Sequence, residues 1–342
     1  MAPPLTPAPV GDYPFFTPVE AQMLSRANQW FAENLWSTVP APGTPLAAPP
    51  VPVAAPTPYA VGKLLILCMT PRSGSTALSG ALAASRMMGL GGERLNYNPL
   101  KKLIAATAPQ SLLQVLTAVI DSSRSRKSGV AQIKCDLPQL LPFLVDPDCL
   151  TLLTQAQFVY LTREDVLGQA ISRYRGAVTG HWHSTMSKVR ENEPGQNGAN
   201  ESGVVGPADL PDHPVPGKPG NSHDVPFDFA AIKGQIDHLT KMMAAYERVF
   251  AAFGLSPLRI TYEQVTADSY AVMARMAATL GVSLPADVSL ADGGHVRTAT
   301  ANNDDLRARY IAECRAALRG YGGDYGSSDT AAAAAAAVNA AI

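Results

Sequence analysis

Four short apolar runs, each set apart from the next by helix-forming sequence, most narrow the folds open to this 342-residue chain. The runs are "KLLILCM" at 63–69, "GVAQIKCD" at 129–136, "QFVYLT" at 157–162 and a stretch near 258–262 inside "PLRITYEQV". Between and after them the spacing predicts helices at 75–88, 111–124, 165–179, 227–253, 264–281 and 303–318. Short apolar strands separated by helices predict a mostly parallel central sheet covered by helices on both faces, an α/β three-layer fold. A hydrophobic fraction of 46% supplies the core that such a sheet needs.

The flanks read differently. "TPVE" offers Thr17 as N-cap, Pro18 at the first helical position and Glu20 at the third, a capping box that opens a helix at 17–36. That helix packs on the main domain or, alternatively, serves a partner. "STVPAPGTPLAAPPVPVAAPTPYA" follows with eight prolines and almost no charge, so residues 1–60 are read as a helix plus a proline-rich arm. The main domain is placed at 61–320. Within it, 186–226 is rich in Gly, Pro, Asn and Asp and reads as a long insert. Residues 321–342 form a low-complexity, alanine-rich tail.

Charge is balanced, 27 basic against 28 acidic side chains, which argues against broad binding to nucleic acid. The four cysteines lack zinc-type spacing and read as reduced thiols. No secretory signal and no span of roughly 20 apolar residues is visible, so the expectation is a cytoplasmic protein.

"TPRSGST" at 70–76 stands between the first strand and the first helix. A strand, a tight turn and a helix start make an anion site, because free N–H groups converge there and the helix start adds partial positive charge. Gly74 lets backbone approach a ligand. Ser73, Ser75 and Thr76 offer hydroxyls, and Arg72 a forked cation. The turn is P-loop-like in placement, but Ser75 stands where the nucleotide loop G-x-x-x-x-G-K-[ST] has its lysine.

"PRSGSTALSGAL" resembles the 5′-phosphosulfate loop of sulfotransferases, and in particular that of the bacterial trehalose 2-sulfotransferase-like family. The resemblance extends to "GGERLN" at 91–96, "GVAQIKCD", "TREDVLGQAISRYRGA" at 162–177 and "RTATANNDDLRARY" at 297–310. It implies a 3′-phosphoadenosine 5′-phosphosulfate donor, no metal, and a carbohydrate or other hydroxylated acceptor. Residues 71–76 would hold the 5′-phosphosulfate, and Arg163 with Ser172 the 3′-phosphate. Nine residues separate that pair, so they share no helix face; Arg163 must stand before the helix and reach back. Glu93 takes the place of the family's general base. The residues after it are aromatic in the family and are Arg94 and Leu95 here, which bears on the acceptor. Lys134, ending the second strand, would stabilise sulfuryl or leaving-phosphate charge, or form a structural salt bridge. Arg297 would help cover the donor. The resembled family can form homodimers.

Other readings stand beside these. Arg163 can form a surface ion pair with Asp165. "HWH" at 181–183 is a weak zinc signal and a better candidate for the acceptor pocket, with Trp182 stacking on a sugar. A P-loop phosphotransferase and a non-catalytic nucleotide-binding module are the alternative functions.

Overall fold

The computed structural model of the chain describes residues 15–34, 63–180, 225–293 and 301–322. In chain order the elements are α1 (Pro18–Asn34), β1 (Leu64–Met69), α2 (Ser75–Ala84), α3 (Tyr97–Thr107), α4 (Leu112–Ser123) and β2 (Ala131–Cys135). Then come α5 (Leu137–Val145), α6 (Pro147–Leu153), β3 (Gln157–Thr162), α7 (Val166–Thr179), α8 (Phe229–Ala252) and β4 (Leu258–Thr261). The chain continues with α9 (Tyr262–Ala267), α10 (Ser269–Ala278), a 3-10 turn at Leu290–Gly293, and α11 (Ala301–Gly322).

The sheet has the order β2-β1-β3-β4 and every pairing is parallel. Leu67 lies opposite Lys134, and Thr162 opposite Thr261, so the C-terminal ends of the strands share one edge. All six residues of β1 are buried. Alternation sends Leu64, Ile66 and Cys68 to one face with Ile133, Phe158 and Tyr160, against α1, α4, α5 and α8. Leu65 and Leu67 go to the other face with Val159, Leu161 and Ile260, against α2 and α10. Each fully buried Leu or Ile contributes about 2 kcal/mol. This is the expected α/β three-layer arrangement, with each strand matching its apolar run to within a residue or two.

The helices depart from the sequence reading in three places. The helix expected over 75–88 ends at Ala84, where Ser85 turns its hydroxyl back to the Leu82 carbonyl at 2.5 Å and Arg86 takes a φ of 58°. The helix expected over 264–281 is two helices. Asp268 breaks it and caps α10 by accepting from the Ala271 N–H at 2.9 Å. Finally, α3, α5 and α6 were not anticipated. Pro138 and Pro147 mark helix starts, while Pro142 lies inside α5. Asp136 and Gln139 form a capping box at α5, and Asp146 caps α6.

The N-terminal helix is part of the main core. Leu24 and Phe31 are buried, Phe31 meets Phe143 edge-on, and Trp30 stacks on Tyr97. Glu20 is buried as well. One of its oxygens accepts from the Thr17 N–H at 2.9 Å, the reverse half of the expected capping box. The other accepts from Arg248 Nε at 2.8 Å and Nη2 at 2.5 Å, tying α1 to α8. Residues 35–36 of the expected helix, the proline-rich arm, 186–224 of the insert and the tail beyond 322 lie outside the described residues. Among the described residues, no single helix is long and apolar enough to cross a membrane.

Burial raises the Glu20 carboxyl pKa, but the bonds from Thr17 and Arg248 outweigh it, and the net shift is downward. Arg248→Ala strands that buried carboxylate and is expected to cost roughly 3 kcal/mol, the low end for breaking such a pair because Arg248 is part-exposed. A carboxylate with a depressed folded pKa stabilises above its unfolded pKa and loses that contribution as pH falls. The deficit of Arg248→Ala should therefore be full near neutrality and shrink below about pH 4, as read from urea unfolding at both pH values.

Candidate active site

The loop 70–76 leaves the C-terminal end of β1 at the centre of the sheet. Arg72 (φ 67°) and Gly74 (φ 84°) both take left-handed backbone. For Arg72 that conformation is strained and is held by its surroundings. Gly74 is the N-cap of α2, and no side chain caps that helix, so its first N–H groups face the loop. Ser73 is buried, and its Oγ has no hydrogen-bond partner. A buried hydroxyl with no partner costs free energy unless a ligand satisfies it. Ser75 is buried too, and Thr76 is half-buried.

Helix α7 holds this loop from the side. Arg72 Nε donates to Ser172 Oγ at 2.9 Å. Gln169, fully buried, donates through Nε2 to Thr70 Oγ1 at 2.8 Å and to the Pro71 carbonyl at 2.7 Å. Ser172, read from sequence as a 3′-phosphate ligand with Arg163, here accepts from Arg72. Arg163 does stand before the helix, as that reading required. Its Nη2 lies 3.3 Å from Asp165 Oδ2, the ion pair held as the alternative. Asp165 is shared, however. Arg307 of α11 donates to both its oxygens at 2.5 and 2.6 Å, and the Gly168 N–H takes Oδ1 at 2.9 Å. The guanidinium of Arg163 also lies over the Tyr262 ring, 4.7 Å from its centroid, and its buried Nε has no acceptor.

Burial holds the Arg72 guanidinium below the ordinary arginine pKa, and the charges of Arg163 and Arg175 depress it further. The charges of Arg163 and Arg175 are thus felt at Arg72, a field that an anion with several negative oxygens would relieve. Arg175, which hydrogen-bonds Asn303 of α11, was not singled out from sequence. Its position three residues after Ser172, on the same helix face, was the available signal.

On the other side of the loop, Lys134 is almost fully buried at the end of β2. Its Nζ lies 2.9 Å from Glu93 Oε1 and donates to Thr76 Oγ1 at 2.9 Å. The amino group that the loop lacks in its own sequence is therefore supplied by the neighbouring strand. Glu93 follows Gly91 (φ 60°) and Gly92 (φ 95°), both left-handed. The segment is pinned on both sides: the Gly92 N–H donates to Ser79 Oγ at 3.2 Å, and the Lys134 N–H to the Gly92 carbonyl at 3.3 Å.

Charge continues beyond this pair. Burial pushes the Asp136 carboxyl up to about 6, and Glu93 adds to that rise; its N-cap bond, Arg173 and Lys134 oppose it. Arg173 is buried, donates Nε to Gln235 Oε1 at 2.6 Å, and is lowered to about 10 by burial. His238 is lowered to about 4 by burial, then by Arg173 and Lys241, so it is neutral near pH 7. Arg297 and the "HWH" residues lie outside the described residues.

Residues 211–313 match the family model described as Stf0 sulphotransferase, the trehalose 2-sulfotransferase family. This match supports a sulfotransferase. It covers α8, β4, α9, α10 and most of α11, and it stops short of the loop 70–76, Glu93, Lys134 and α7. No curated protein matches the chain.

The raised Asp136 pKa gives a test of the electrostatics around Glu93. A carboxyl with a folded pKa near 6 and an ordinary value of 3.8 holds its proton more tightly when folded, so ionising it destabilises the fold. Asp136→Asn keeps a good N-cap for α5 and removes that charge. The variant should gain on wild type as pH rises from about 4 to about 6 and hold a constant lead above that, measured by denaturant unfolding across the range.

Proposed function

We propose that the protein transfers the sulfuryl group of 3′-phosphoadenosine 5′-phosphosulfate to a hydroxyl of a carbohydrate or glycoconjugate acceptor in the cytoplasm. The observation that supports this reading most is the chain Glu93–Lys134–Thr76, with 2.9 Å at both links. It puts a carboxylate and a cation together beside a loop suited to an anionic group.

The chain's residues divide the work. Ser73, Ser75, Thr76, the free N–H groups of α2 and Arg72 hold the 5′-phosphosulfate. Arg163 holds the 3′-phosphate, with Ser172 fixing Arg72 between the two ends. Glu93 takes the proton of the acceptor hydroxyl as the new oxygen–sulfur bond forms. The old bond from sulfur to the 5′-phosphate breaks, and its electron pair goes to that phosphate oxygen. Lys134 stabilises the charge that develops there. Catalysis is then positioning and electrostatics, and no metal is part of it. Residues 61–320 act as one catalytic domain, with Arg297 over the donor, 186–226 as an acceptor lid, and Trp182, just before that segment, stacking on the acceptor.

The test is thermal melting with adenosine 3′,5′-bisphosphate, with ATP and ADP as controls. A ligand at about 100 times its Kd stabilises by roughly 2.7 kcal/mol, a clear shift. The shift should be specific to the 3′-phosphorylated nucleotide and disappear in Arg72→Ala and Arg163→Ala. Glu93→Gln should keep the shift and lose roughly 10²–10⁴-fold in turnover once an acceptor is supplied. A shift with ATP alone overturns this reading in favour of a phosphotransferase. No shift with any nucleotide leaves a non-catalytic module.

A further inference from the structure

The two segments that carry the candidate donor-binding cations, 70–76 and 162–165, are touched by one turn at the end of β4. That turn is rigid. Thr261 Oγ1 accepts from the Gln264 N–H at 3.2 Å, and Gln264 Oε1 accepts from the Thr261 N–H at 3.3 Å. The two residues between them point to different segments. The Tyr262 ring lies against Gly74, so close that a Cβ at Gly74 would sit 2.5 Å from Cδ2 and 3.0 Å from Cε2. The same ring carries the Arg163 guanidinium, 4.7 Å from its centroid. The Glu263 carboxylate accepts from the backbone N–H groups of Glu164 at 3.0 Å and Asp165 at 3.3 Å. One ring therefore spans the distance between the loop and Arg163, while the adjacent carboxylate fixes the backbone on which Arg163 stands.

The choice of an aromatic ring has a chemical consequence. An acid in that place would orient the guanidinium and also neutralise it. An aromatic face holds a guanidinium through the ring quadrupole and leaves its charge and its N–H edge for an anion. Among the described residues Arg163 is ion-paired with Asp165, and Arg307 and the Gly168 N–H also draw on that carboxylate. Arg163 Nε is buried with no acceptor.

We infer that Tyr262 is a positioning residue that sets the spacing between the 70–76 loop and Arg163, and thereby the preference for a nucleotide phosphorylated at both the 5′ and 3′ positions. This rests on the donor assignment above. Gly74 is the other half of the device, since only a residue without a side chain lets the ring approach.

The experiment compares the full chain with Tyr262→Phe, Tyr262→Leu and Glu263→Ala. Calorimetry gives the Kd of each for adenosine 3′,5′-bisphosphate and adenosine 5′-monophosphate. Tyr262→Leu should cut the preference for the bisphosphate roughly tenfold while monophosphate binding changes little. Tyr262→Phe should restore the preference, because the ring face is what acts. Equal losses for both nucleotides, or an unchanged ratio in Tyr262→Leu, would show that the ring only fills space and would overturn the inference. Should Tyr262→Leu not fold, Glu263→Ala loosens the 164–165 backbone from the same turn. A lowered ratio there supports the inference, and an unchanged one overturns it. A wild-type chain that binds both nucleotides equally overturns the donor assignment itself, an outcome visible before any variant is made.

Discussion

Parallel pairing of β1 with β2 and β3, and of β3 with β4, puts all four strand ends on one edge. Everything in the candidate site depends on that. The loop 70–76, Lys134, Arg163 and Tyr262 are distant in sequence, and each directly follows or ends a strand. An antiparallel order would have scattered them over two edges. Open parallel sheets place their ligands at this edge for the same reason.

What the edge collects is mostly positive charge. The charges of Arg163 and Arg175 are felt at Arg72, and Arg72, Arg163 and Arg175 are each restrained by a different device: a serine hydroxyl, an aromatic ring with a shared acid, and an asparagine from α11. Asp165 is divided between two arginines and a helix cap. Lys134 is paired with the Glu93 carboxylate. A field of this kind is costly to assemble, and the fold supports it with buried polar ties such as Gln169 to Thr70 and Pro71, and Tyr246, which donates to the Met69 carbonyl at 3.0 Å just before the loop. The strained backbone at Arg72 belongs to the same expense.

The family match over 211–313 and the residues of the candidate site occupy different parts of the chain. They meet in space. Tyr262 and Glu263 lie within the match and touch Gly74 and the 164–165 backbone; Asn303 and Arg307 lie within it and bond Arg175 and Asp165. The C-terminal third is therefore the frame against which the loop and α7 are set, and its side chains reach the candidate cations directly.

By itself the sequence determined the layered α/β class, because short apolar strands alternating with helices fit a parallel sheet whose two faces those helices cover. It also marked the loop and Lys134 through local strand-end signals, and Glu93 through the resemblance of its motif. Tertiary structure decided the rest. That Ser172 meets Arg72 turns on how α7 docks against the 70–76 loop, which no spacing along α7 encodes. Gln169, Arg175 and Tyr262 act through contacts made across about 100 residues or more of chain; only Arg175, one turn from Ser172, carried a local signal. The pairing of buried Glu20 with Arg248 is of the same kind: the capping box placed the glutamate, and only packing supplied its cation.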